Sequence, residues 1–470
     1  MSAAAAPTNG FGPRAAVELD RAGAPPATVL VRGARLLDPR TGLNGVSDVL
    51  VRDGRIAEIG PTLEAPDGAE VVEAEGLHAF PGFVDPHVHL RTPGREDEED
   101  IDSGTRAAAA GGFCAILAQP NTEPVVDSAP VLRSLRERAR TEARIPTGFL
   151  AAITVAQEGE RLTEMAELAD VGAVGFTDDG LPVRSAGVMR QALQYQRLAG
   201  RVLALHEEDP SLSAAGVMHE GEVSAHLGVA GIPSVSESSM VARDCALAQY
   251  EDGRIHVQHV SARETVEALE RAKAAGCQVT CEATPHHLLL TDESVRTLDT
   301  NMKMNPPLRA DADRRALVEA LRSGAIDCIA TDHAPHARDE KEVPFEQAPM
   351  GTTGLETSFA AVHTDLVLTG VLPLGLVVER MSSGAALMGL DTPTIEVGRR
   401  ADLTLVDLNE EWTVGESGYE SRSENSCFAG RRLRGRVLMT VAAGGVAYRD
   451  RGFSIRLAKS TLAAGPRERR

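Results

Sequence analysis

The chain shows one hydrophobic pattern at its two ends and another in its middle. Residues 28–80 contain short runs of strand type, TVLVRGARLL, SDVLVRDGRIAEIG and AEVVEAEG, separated by Gly, Asp and Pro. Such runs predict the strands of a small β-meander. The runs ADLTLVDL and LRGRVLMTVAAGGVAYRD, near the other end, have the same character. We therefore expect both ends of the chain to pair into one small β-sandwich domain.

The middle of the chain alternates apolar runs with amphipathic helical patterns such as SARETVEALERAKAAG. The apolar runs are GFVDPHVH, GFCAILAQP, TGFLAAIT, GAVGFTD, RVLALHEE, RIHVQHV, CQVTCEAT and AIDCIATDH. Strands that alternate with helices indicate the α/β class with a parallel sheet. Eight such strands favour a (β/α)8 TIM barrel over an open sheet. No nucleotide-binding glycine motif follows any of these runs, so a Rossmann or P-loop site is not supported.

These patterns divide the chain into five predicted parts. They are a flexible N-terminal extension (1–27), the first part of the β-sandwich (28–82), the barrel (83–390), the second part of the β-sandwich (391–455) and a tail (456–470). The extension is rich in Ala, Pro and Gly and lacks the continuous apolar core of a signal peptide. No apolar run approaches the length of a membrane span.

Composition narrows the choice of partners and of compartment. A net charge of −20 over 470 residues makes nucleic acid or an anionic membrane a poor partner. An anionic substrate would therefore need locally concentrated positive charge. The six cysteines are scattered without a CxxC pair, which predicts free thiols and a reducing cytoplasm. The chain has only four lysines: Lys273, Lys303, Lys341 and Lys459.

Histidines and aspartates collect where the predicted barrel strands end. His87 and His89 share one face at the end of the first strand, while His206, His259 and Asp332 end the fifth, sixth and eighth strands. The carboxyl ends of barrel strands meet on one rim, and imidazole and carboxylate are ligands of hydrolytic metal ions. One such histidine alone would ordinarily be a hydrogen-bonded residue. The set predicts a metal centre, with the roles of His286 and His287 left open.

The segment FTDDG (176–180) ends the fourth predicted strand. Asp-Asp-Gly after a strand is ordinarily a turn. Along GAVGFTDD, however, Asp179 shares its face with Ala173 and Thr177, whereas Asp178 shares its face with Phe176. Since large apolar side chains face the surrounding helices, we expect Asp179 to point into the barrel and Asp178 to point out of it.

Several motifs resemble the amidohydrolase superfamily, and within it the bacterial-type dihydroorotases. They run in order from about residue 28 to about residue 450 and include PGFVDPHVHLRTPG, AQPNTEPVVD, FTDDG, ALHEED, VQHVSARET, TPHHLLL, NMKMNPPLR and ATDHAPH. The resemblance implies reversible cyclisation of N-carbamoyl-L-aspartate to L-dihydroorotate in de novo pyrimidine (UMP) biosynthesis. It also implies two divalent metal ions, with Zn²⁺ the expected metal.

The resemblance also implies the ligands of these ions. His87, His89 and Asp332 would hold one ion, and His206 and His259 the other. Many superfamily members bridge the ions with a carboxylated lysine after the fourth strand. The first lysine of this chain is Lys273, so Asp179 is the expected bridge.

Further roles follow from the resemblance. A water activated between the two metals would attack the ring amide, with Asp332 as the general acid and base. The predicted substrate contacts are Arg91, Asn121, Asn305, His336, Met350 and Gly351.

Three questions stay open from the sequence. Another cyclic amidase, a hydantoinase or an allantoinase, is the nearest alternative, although those enzymes commonly use the lysine bridge and lack the Arg91–Asn121 pairing. A non-catalytic barrel that partners aspartate carbamoyltransferase is the second alternative. A homodimer, and association of the active enzyme with aspartate carbamoyltransferase, are also left open. We expect the acidic run REDEED (95–100) to be a solvated face.

Overall fold

The computed structural model of the protein describes residues 17–453. The predicted tail, and residues 1–16 of the predicted extension, lie outside these described residues. Strands and helices alternate through most of the chain, as the α/β class requires. The strands are β1 (Val29–Asp38), β2 (Leu43–Arg52), β3 (Arg55–Gly60), β4 (Glu70–Glu73), β5 (His78–Pro81), β6 (Phe83–Val88), β7 (Phe113–Ala118), β8 (Thr147–Phe149), β9 (Gly175–Phe176), β10 (Val202–Leu205), β11 (Met218–His219), β12 (Gly231–Ile232), β13 (Arg254–Val257), β14 (Gln278–Ala283), β15 (Cys328–Ile329), β16 (Leu403–Thr413), β17 (Arg432–Ala442) and β18 (Gly445–Arg449).

The α-helices lie mainly between the central strands. They are α1 (Ile101–Ala110), α2 (Ala129–Glu142), α3 (Met165–Val171), α4 (Ala186–Ala199), α5 (Pro210–Ser213), α6 (Glu222–Leu227), α7 (Val235–Glu251), α8 (Arg263–Ala274), α9 (Pro285–Leu289), α10 (Asp311–Ser323), α11 (Arg338–Lys341), α12 (Ser358–Val362), α13 (Leu374–Ser382) and α14 (Gly384–Leu387). In α8, Val266 and Leu269 are buried and Arg271 faces outward. The helix therefore covers the central strands with one apolar face.

Strands from both ends of the chain form one eight-stranded sheet. Its order is β18-β17-β16-β5-β1-β2-β3, with β4 also paired to β1. The strand β5 joins the two ends, because it pairs parallel with β1 and antiparallel with β16. One apolar core contains Val31 and Val51 from β1 and β2 together with Leu405 and Met439 from β16 and β17. Burial of this shared apolar surface holds the two ends together.

The eight predicted central strands lie in two parallel sheets, β6-β7-β8 and β15-β14-β13-β10-β9. Parallel backbone bridges connect the sheets at both edges: Ala151 with Phe176, and Val88 with His333. The strands are short, and several, such as β7 and β10, are buried along their whole length, as expected for parallel strands covered on both faces. Their carboxyl ends all point the same way, so the loops that follow them converge on one side of the molecule.

The described part of the predicted flexible extension lies against the central sheets. Asp20 exchanges backbone hydrogen bonds with Thr147 at the start of β8, at 3.0 and 2.8 Å. Its buried carboxylate forms ion pairs with Arg136 at 2.5 Å and with Arg140 at 2.9 Å. Residues 17–27 therefore include an anchored segment, which the polar, Ala-rich and Pro-rich composition does not indicate.

Two findings bear on the expectations from composition. All six cysteines are buried free thiols, as their isolated positions in the sequence predict. None of the helices within residues 17–453 combines the length and the apolar character needed to cross a lipid bilayer.

Candidate metal and substrate site

The first and last central strands bring three predicted ligands together. His87 ends β6, His89 follows it, and both rings face Asp332 after β15. The Oδ1 atom of Asp332 lies 3.3 Å from Nε2 of His87 and 3.1 Å from Nε2 of His89. The buried carboxylate of Asp85 ties the two strand ends together, because it accepts the N–H groups of His87 at 3.1 Å and Thr331 at 3.2 Å.

Asp179 lies between two pairs of histidines. Its Oδ1 is 3.6 Å from Nε2 of His87, and its Oδ2 is 3.4 Å from Nε2 of His89. On the other side, Oδ1 is 3.7 Å from Nδ1 of His206 and 3.4 Å from Nε2 of His259. The aspartate that strand parity predicts to point inward is therefore the one that faces all four imidazoles.

The neighbouring Asp178 has a different environment. Its carboxylate accepts hydrogen bonds from the backbone N–H groups of Ile153 and Thr154, at 2.8 and 3.0 Å, and from the Thr154 hydroxyl. Its carbonyl accepts the N–H of Leu181 at 2.9 Å. Burial raises the pKa of Asp178 to about 6. Asp178 therefore closes the turn and ties it to the loop after β8, as its outward parity predicts.

His206 and His259 follow β10 and β13 and face each other closely. Nδ1 of His206 lies 2.9 Å from Nε2 of His259, and the rings meet edge to face. The other nitrogen of His206 is 3.4 Å from Oε2 of Glu208, which also accepts the Asn305 amide at 2.6 Å. Sequence reasoning did not single out Glu208, although it lies two residues after a predicted ligand in ALHEED.

Opposite charges within the cluster shift the pKa values of His87 and Asp179 toward the charged forms of both side chains. Burial lowers the pKa of His87, but the carboxylates of Asp332, Asp179 and Glu282 outweigh it and raise the pKa well above its usual value. Burial raises the pKa of Asp179, but His87, His259 and His89 bring it well below its usual value. Asp179 is therefore ionised at neutral pH, which is the state that a metal ligand requires.

The residues present fit two divalent metal ions. His87, His89 and Asp179 form one buried group with ligand atoms within 4.8 Å of one another, and Asp179, His206 and His259 form a second. Nε2 of His87 and Oδ1 of Asp179 are buried without a hydrogen-bond partner, which is costly unless another group satisfies them. Nitrogen and carboxylate donors of this kind suit Zn²⁺, and Asp179 belongs to both groups.

Glu282 supports the histidines from inside the sheet and was missed by the sequence reasoning. It lies on β14, where its Oε1 is 2.6 Å from Nδ1 of His87 and accepts the backbone N–H of His259 at 3.2 Å. Its Oε2 is 2.9 Å from Nε2 of His256. Burial raises the pKa of Glu282, but His87 and His256 lower it to about 2. A carboxylate behind a ligating histidine fixes the orientation of the ring. The available signal was one charged residue within a buried apolar strand.

A cavity of about 240 Å³ opens beside this cluster. Its lining contains all six predicted substrate contacts together with five of the six predicted metal ligands. The predicted contacts in the lining are Arg91, Asn121, Asn305, His336, Met350 and Gly351, and the predicted ligands are His89, Asp179, His206, His259 and Asp332.

 The remaining predicted ligand, His87, does not line the cavity. The predicted substrate contacts and the other predicted metal ligands thus share one wall.

Arg91 lies in the loop after β6 and lines this cavity. The acidic run that follows it in the sequence differs from the expectation of a solvated face. REDEED (95–100) is not simply a solvated face, because Glu98 and Glu99 are buried at 2% and 0% exposure. Glu98 Oε2 lies 2.9 Å from Nε of Arg91. Glu99 is 3.2 Å from Nε2 of His333 and accepts the Ser421 hydroxyl. The sequence around Glu99 does not indicate this burial, because its partners His333 and Ser421 lie 234 and 322 residues away.

The loops that carry His336, Met350 and Gly351 are held by Asn425, which sequence reasoning also missed. Its Oδ1 accepts the N–H of His336 at 3.1 Å, and its amide donates to the carbonyls of Ala334 and Gly351 at 3.1 and 3.2 Å. Nε2 of His336 lies 2.9 Å from the Met350 carbonyl. Gly351 has φ +144°, and a Cβ there would lie 2.8 Å from Ala334 Cβ, so only glycine fits.

The remaining predicted residues support the site in ways that the sequence left open. Asn121 places Oδ1 2.9 Å from Nδ1 of His89, so it also orients a predicted ligand. His287 bridges the Thr284 hydroxyl and the Pro306 carbonyl, at 2.8 and 2.9 Å. It thereby fixes the loop that carries Asn305. His286 is buried beside it, and burial lowers its pKa well below the usual value.

Comparison with known proteins agrees with this geometry. The chain is 44% identical over 422 residues to the dihydroorotase of Geobacter metallireducens, a match that covers 90% of this chain and 99% of the relative. It is also 44% identical over 424 residues to the dihydroorotase of Acetivibrio thermocellus, with the same coverage. The chain belongs to the dihydroorotase family. The resemblance inferred from the motifs is thereby confirmed.

Two further comparisons concern a family profile and solved structures of similar fold. The Dihydro-orotase-like family profile matches residues 76–265. The L-hydantoinase (dihydropyrimidinase) of Arthrobacter aurescens has a similar structure, with a TM-score of 0.80 and 27% identity over 89% of this chain and 96% of that one. The dihydropyrimidinase of Brevibacillus agri, at 24% identity and a TM-score of 0.78, covers 90% of this chain and 95% of its own and shares the fold.

Proposed function

We propose that this protein catalyses the reversible, metal-dependent cyclisation of N-carbamoyl-L-aspartate to L-dihydroorotate, a step of de novo pyrimidine biosynthesis. The single observation that carries this proposal is the position of Asp179 between two pairs of histidines, at the wall of a cavity that also contains Arg91 and Asn121. Metal ligands and groups suited to an anionic substrate thus meet at one place. Membership of the dihydroorotase family supports the same reaction.

The metal centre that we propose uses six side chains of this protein. His87, His89 and Asp332 would hold one ion, His206 and His259 would hold the other, and Asp179 would bridge them. When bound, two such ions supply Lewis-acid polarisation of the ring amide and activation of a water molecule. We propose Zn²⁺, because imidazole and carboxylate donors suit it.

The lysines support an aspartate bridge over a lysine bridge. Lys273 donates to the Ala325 carbonyl and pairs with Asp327, at 2.7 and 2.6 Å. Lys303 and Lys341 donate to backbone carbonyls of the loop between α11 and α12. Among the described residues, therefore, no lysine lines the cavity. This arrangement disfavours the hydantoinase and allantoinase alternatives, which commonly use a lysine bridge.

Asp332 is the residue that we propose for proton transfer. In hydrolysis it would take a proton from the attacking water and deliver it to the ring nitrogen that leaves. In cyclisation it would remove the proton from that nitrogen, since both directions share one transition state. Burial raises the pKa of Asp332, but His87, His89 and His259 bring it below the usual value. The carboxylate is therefore ionised and ready to accept a proton.

The substrate carboxylate would bind to Arg91 and Asn121. A guanidinium pairs with a carboxylate through two parallel hydrogen bonds. Asn305, His336, and the backbone of Met350 and Gly351 would contact the ring amide and the carboxylate. Their shared cavity supports these assignments.

We also propose the finer architecture and the setting of the protein. The two edge bridges between the parallel sheets support a closed (β/α)8 barrel over residues 83–390. The shared apolar core of the end strands supports a β-sandwich built from residues 28–82 and 391–455. The six free thiols support a reducing, cytoplasmic setting.

An assay of the purified protein tests the proposed function. Dihydroorotate hydrolysis and carbamoyl-aspartate cyclisation are measured before chelation, after removal of metal, and after Zn²⁺ is restored. We expect activity to disappear on chelation and to return with metal. Hydantoin and allantoin serve as competing substrates. Turnover of either in preference to dihydroorotate would favour the alternative amidases, and no turnover of any of them would favour a non-catalytic barrel.

A further inference from the structure

The acidic run REDEED (95–100) contains one carboxylate, that of Glu98, which is buried against Arg91, the arginine proposed to bind the substrate. Glu98 has a side-chain exposure of 2% and faces two arginines. Its Oε2 lies 2.9 Å from Nε of Arg91, and its Oε1 lies 2.6 Å from Nη2 of Arg95. Its neighbour Asp97, by contrast, is exposed. The two residues therefore offer a functional candidate and a matched control within one run.

The contacts of Arg91 divide its donors into two groups. Nε faces Glu98 and also donates to the Pro335 carbonyl at 3.1 Å. Nη2 lies 3.5 Å from Nε2 of His336, and Nδ1 of the same ring lies 3.5 Å from Oε1 of Glu98. Arg91 and His336 line the cavity, whereas Glu98 does not. Glu98 therefore lies behind the guanidinium, outside the lining of the cavity, and contacts the Nε atom of Arg91.

Glu98 is itself held in place. Its N–H donates to the Arg95 carbonyl at 3.0 Å. Its carbonyl accepts the Ser423 hydroxyl at 2.6 Å. Arg95 in turn pairs with Glu340 in α11, the short helix that follows His336. The carboxylate is therefore a fixed support and not a mobile surface charge.

We propose that Glu98 is a positioning residue that turns the Nη donors of Arg91 toward the carboxylate of the substrate. The inference rests on the proposed function, because it requires Arg91 to bind that carboxylate. An arginine side chain has many rotamers, and fixing it before the ligand arrives removes an entropic cost from binding. The ion pair with Glu98 and the hydrogen bond to the Pro335 carbonyl, both at Nε, fix the plane of the fork while leaving the Nη groups for the ligand.

Simple electrostatics makes the opposite prediction, which gives the proposal a clear test. A carboxylate near an anion site repels the anion, so its removal should strengthen binding if charge alone mattered. If Glu98 acts by orienting Arg91, its removal should weaken binding. The sign of the change therefore separates the two explanations.

The test uses the metal-loaded protein and two readouts. The first is KM and kcat for dihydroorotate, and the second is calorimetric binding of orotate, a planar analogue with the same carboxylate. For Glu98→Ala we expect KM and the orotate Kd to rise about tenfold, with kcat within about threefold of the unaltered protein. For Glu98→Gln, which keeps an acceptor oxygen, we expect a rise of about threefold. Asp97→Asn should change neither.

A double-mutant cycle shows whether Glu98 acts through Arg91. Lysine keeps the charge of Arg91 but has no Nε donor for Glu98. We therefore expect Glu98→Ala to change the orotate Kd by less than about twofold in an Arg91→Lys background, because the coupling is already lost. An equal effect of Glu98→Ala in both backgrounds would overturn the proposal. Tighter or unchanged orotate binding in Glu98→Ala would do the same.

Two controls keep the outcomes separate. Thermal unfolding is measured for every variant, and if Glu98→Ala does not fold, Glu98→Gln decides: unchanged orotate binding in that variant would overturn the proposal. If the unaltered protein neither turns over dihydroorotate nor binds orotate, the proposed function fails. If it does both and the Glu98 variants match it, only the role of Glu98 fails.

Discussion

At the scale of single residues, two identical neighbours have different roles because of where they point. Asp178 accepts three hydrogen bonds from the loop after β8, while Asp179 faces four imidazoles. The first is a structural turn residue, and the second is the proposed metal bridge. Strand parity alone distinguishes them, because successive side chains in a strand point to opposite sides.

Substitution of these two aspartates should separate metal binding from stability. Asp179→Ala should lose bound metal, because both ligand groups share this carboxylate. Asp178→Ala should keep its metal but lose about 1–3 kcal/mol of stability, because it leaves buried N–H groups without their acceptor. Elemental analysis and thermal unfolding check the pair. Unchanged metal content in Asp179→Ala would count against the bridge.

Asp332→Asn tests proton transfer. The amide is similar in size but cannot accept the proton, so we expect kcat to fall on the order of 10²–10⁴-fold. The far-ultraviolet circular dichroism and the melting temperature should change little. Steady-state kinetics at saturating dihydroorotate give the measurement. Near-normal turnover would remove Asp332 from the proposed mechanism.

At the scale of elements, Glu282 connects three central strands. From β14 it contacts His87 on β6, His256 on β13 and the backbone of His259 after β13. One buried carboxylate therefore aligns ligands of both proposed metal positions. Its burial is tolerated because two imidazoles and a backbone N–H compensate for the lost water.

Glu282→Gln should weaken metal binding without removing a ligand. The amide can still accept a hydrogen bond, but it has lost the charge that favours the imidazole orientation. Changes of this kind behind a ligating histidine typically cost 10–100-fold in affinity or activity, so we expect a loss of about that size. Competition with a chelator of known zinc affinity gives the value. A matched control is Glu293→Gln on the protein surface, which should have no effect.

At the scale of the whole molecule, residues far apart in sequence complete the site. The segment after β16 reaches back to the central sheets, where Asn425 holds the loops of His336 and Gly351. Glu356, just before α12, accepts the N–H groups of Glu420 and Ser421 at 3.0 and 3.1 Å. The segment between β16 and β17 is thus attached to the part of the chain that follows the last central strand.

Glu356 should make stability depend on pH. Burial raises its pKa to about 7, so the folded state binds more protons than the unfolded state between the ordinary glutamate value and pH 7. Its contribution to stability is therefore largest at low pH and decreases as the pH rises through that range. The melting temperature of Glu356→Gln minus that of the unaltered protein should increase from pH 5 to pH 8. A constant difference would contradict the assigned shift.

Much of the site was predictable because its residues occupy strand ends. The eight central strands, the clustering of His87, His89, His206, His259 and Asp332, and the inward position of Asp179 follow from local patterns, since periodicity and the order of strands place them. Glu98, Glu282 and Asn425 could not be found in this way. Their partners lie 7, 195 and 89 residues away, and nothing in their own neighbourhood specifies those contacts.

The sequence by itself determined the α/β class, the family motifs and the absence of any lysine before Lys273. These depend on the identity and spacing of residues. Only the tertiary structure decided which charged residues are buried and which residues they contact. Glu98 contacts Arg91, Glu282 contacts His87, and Asp20 contacts Arg136. The physical reason is that burying a charge is favourable only when a partner is present, and the partner is brought there by the fold.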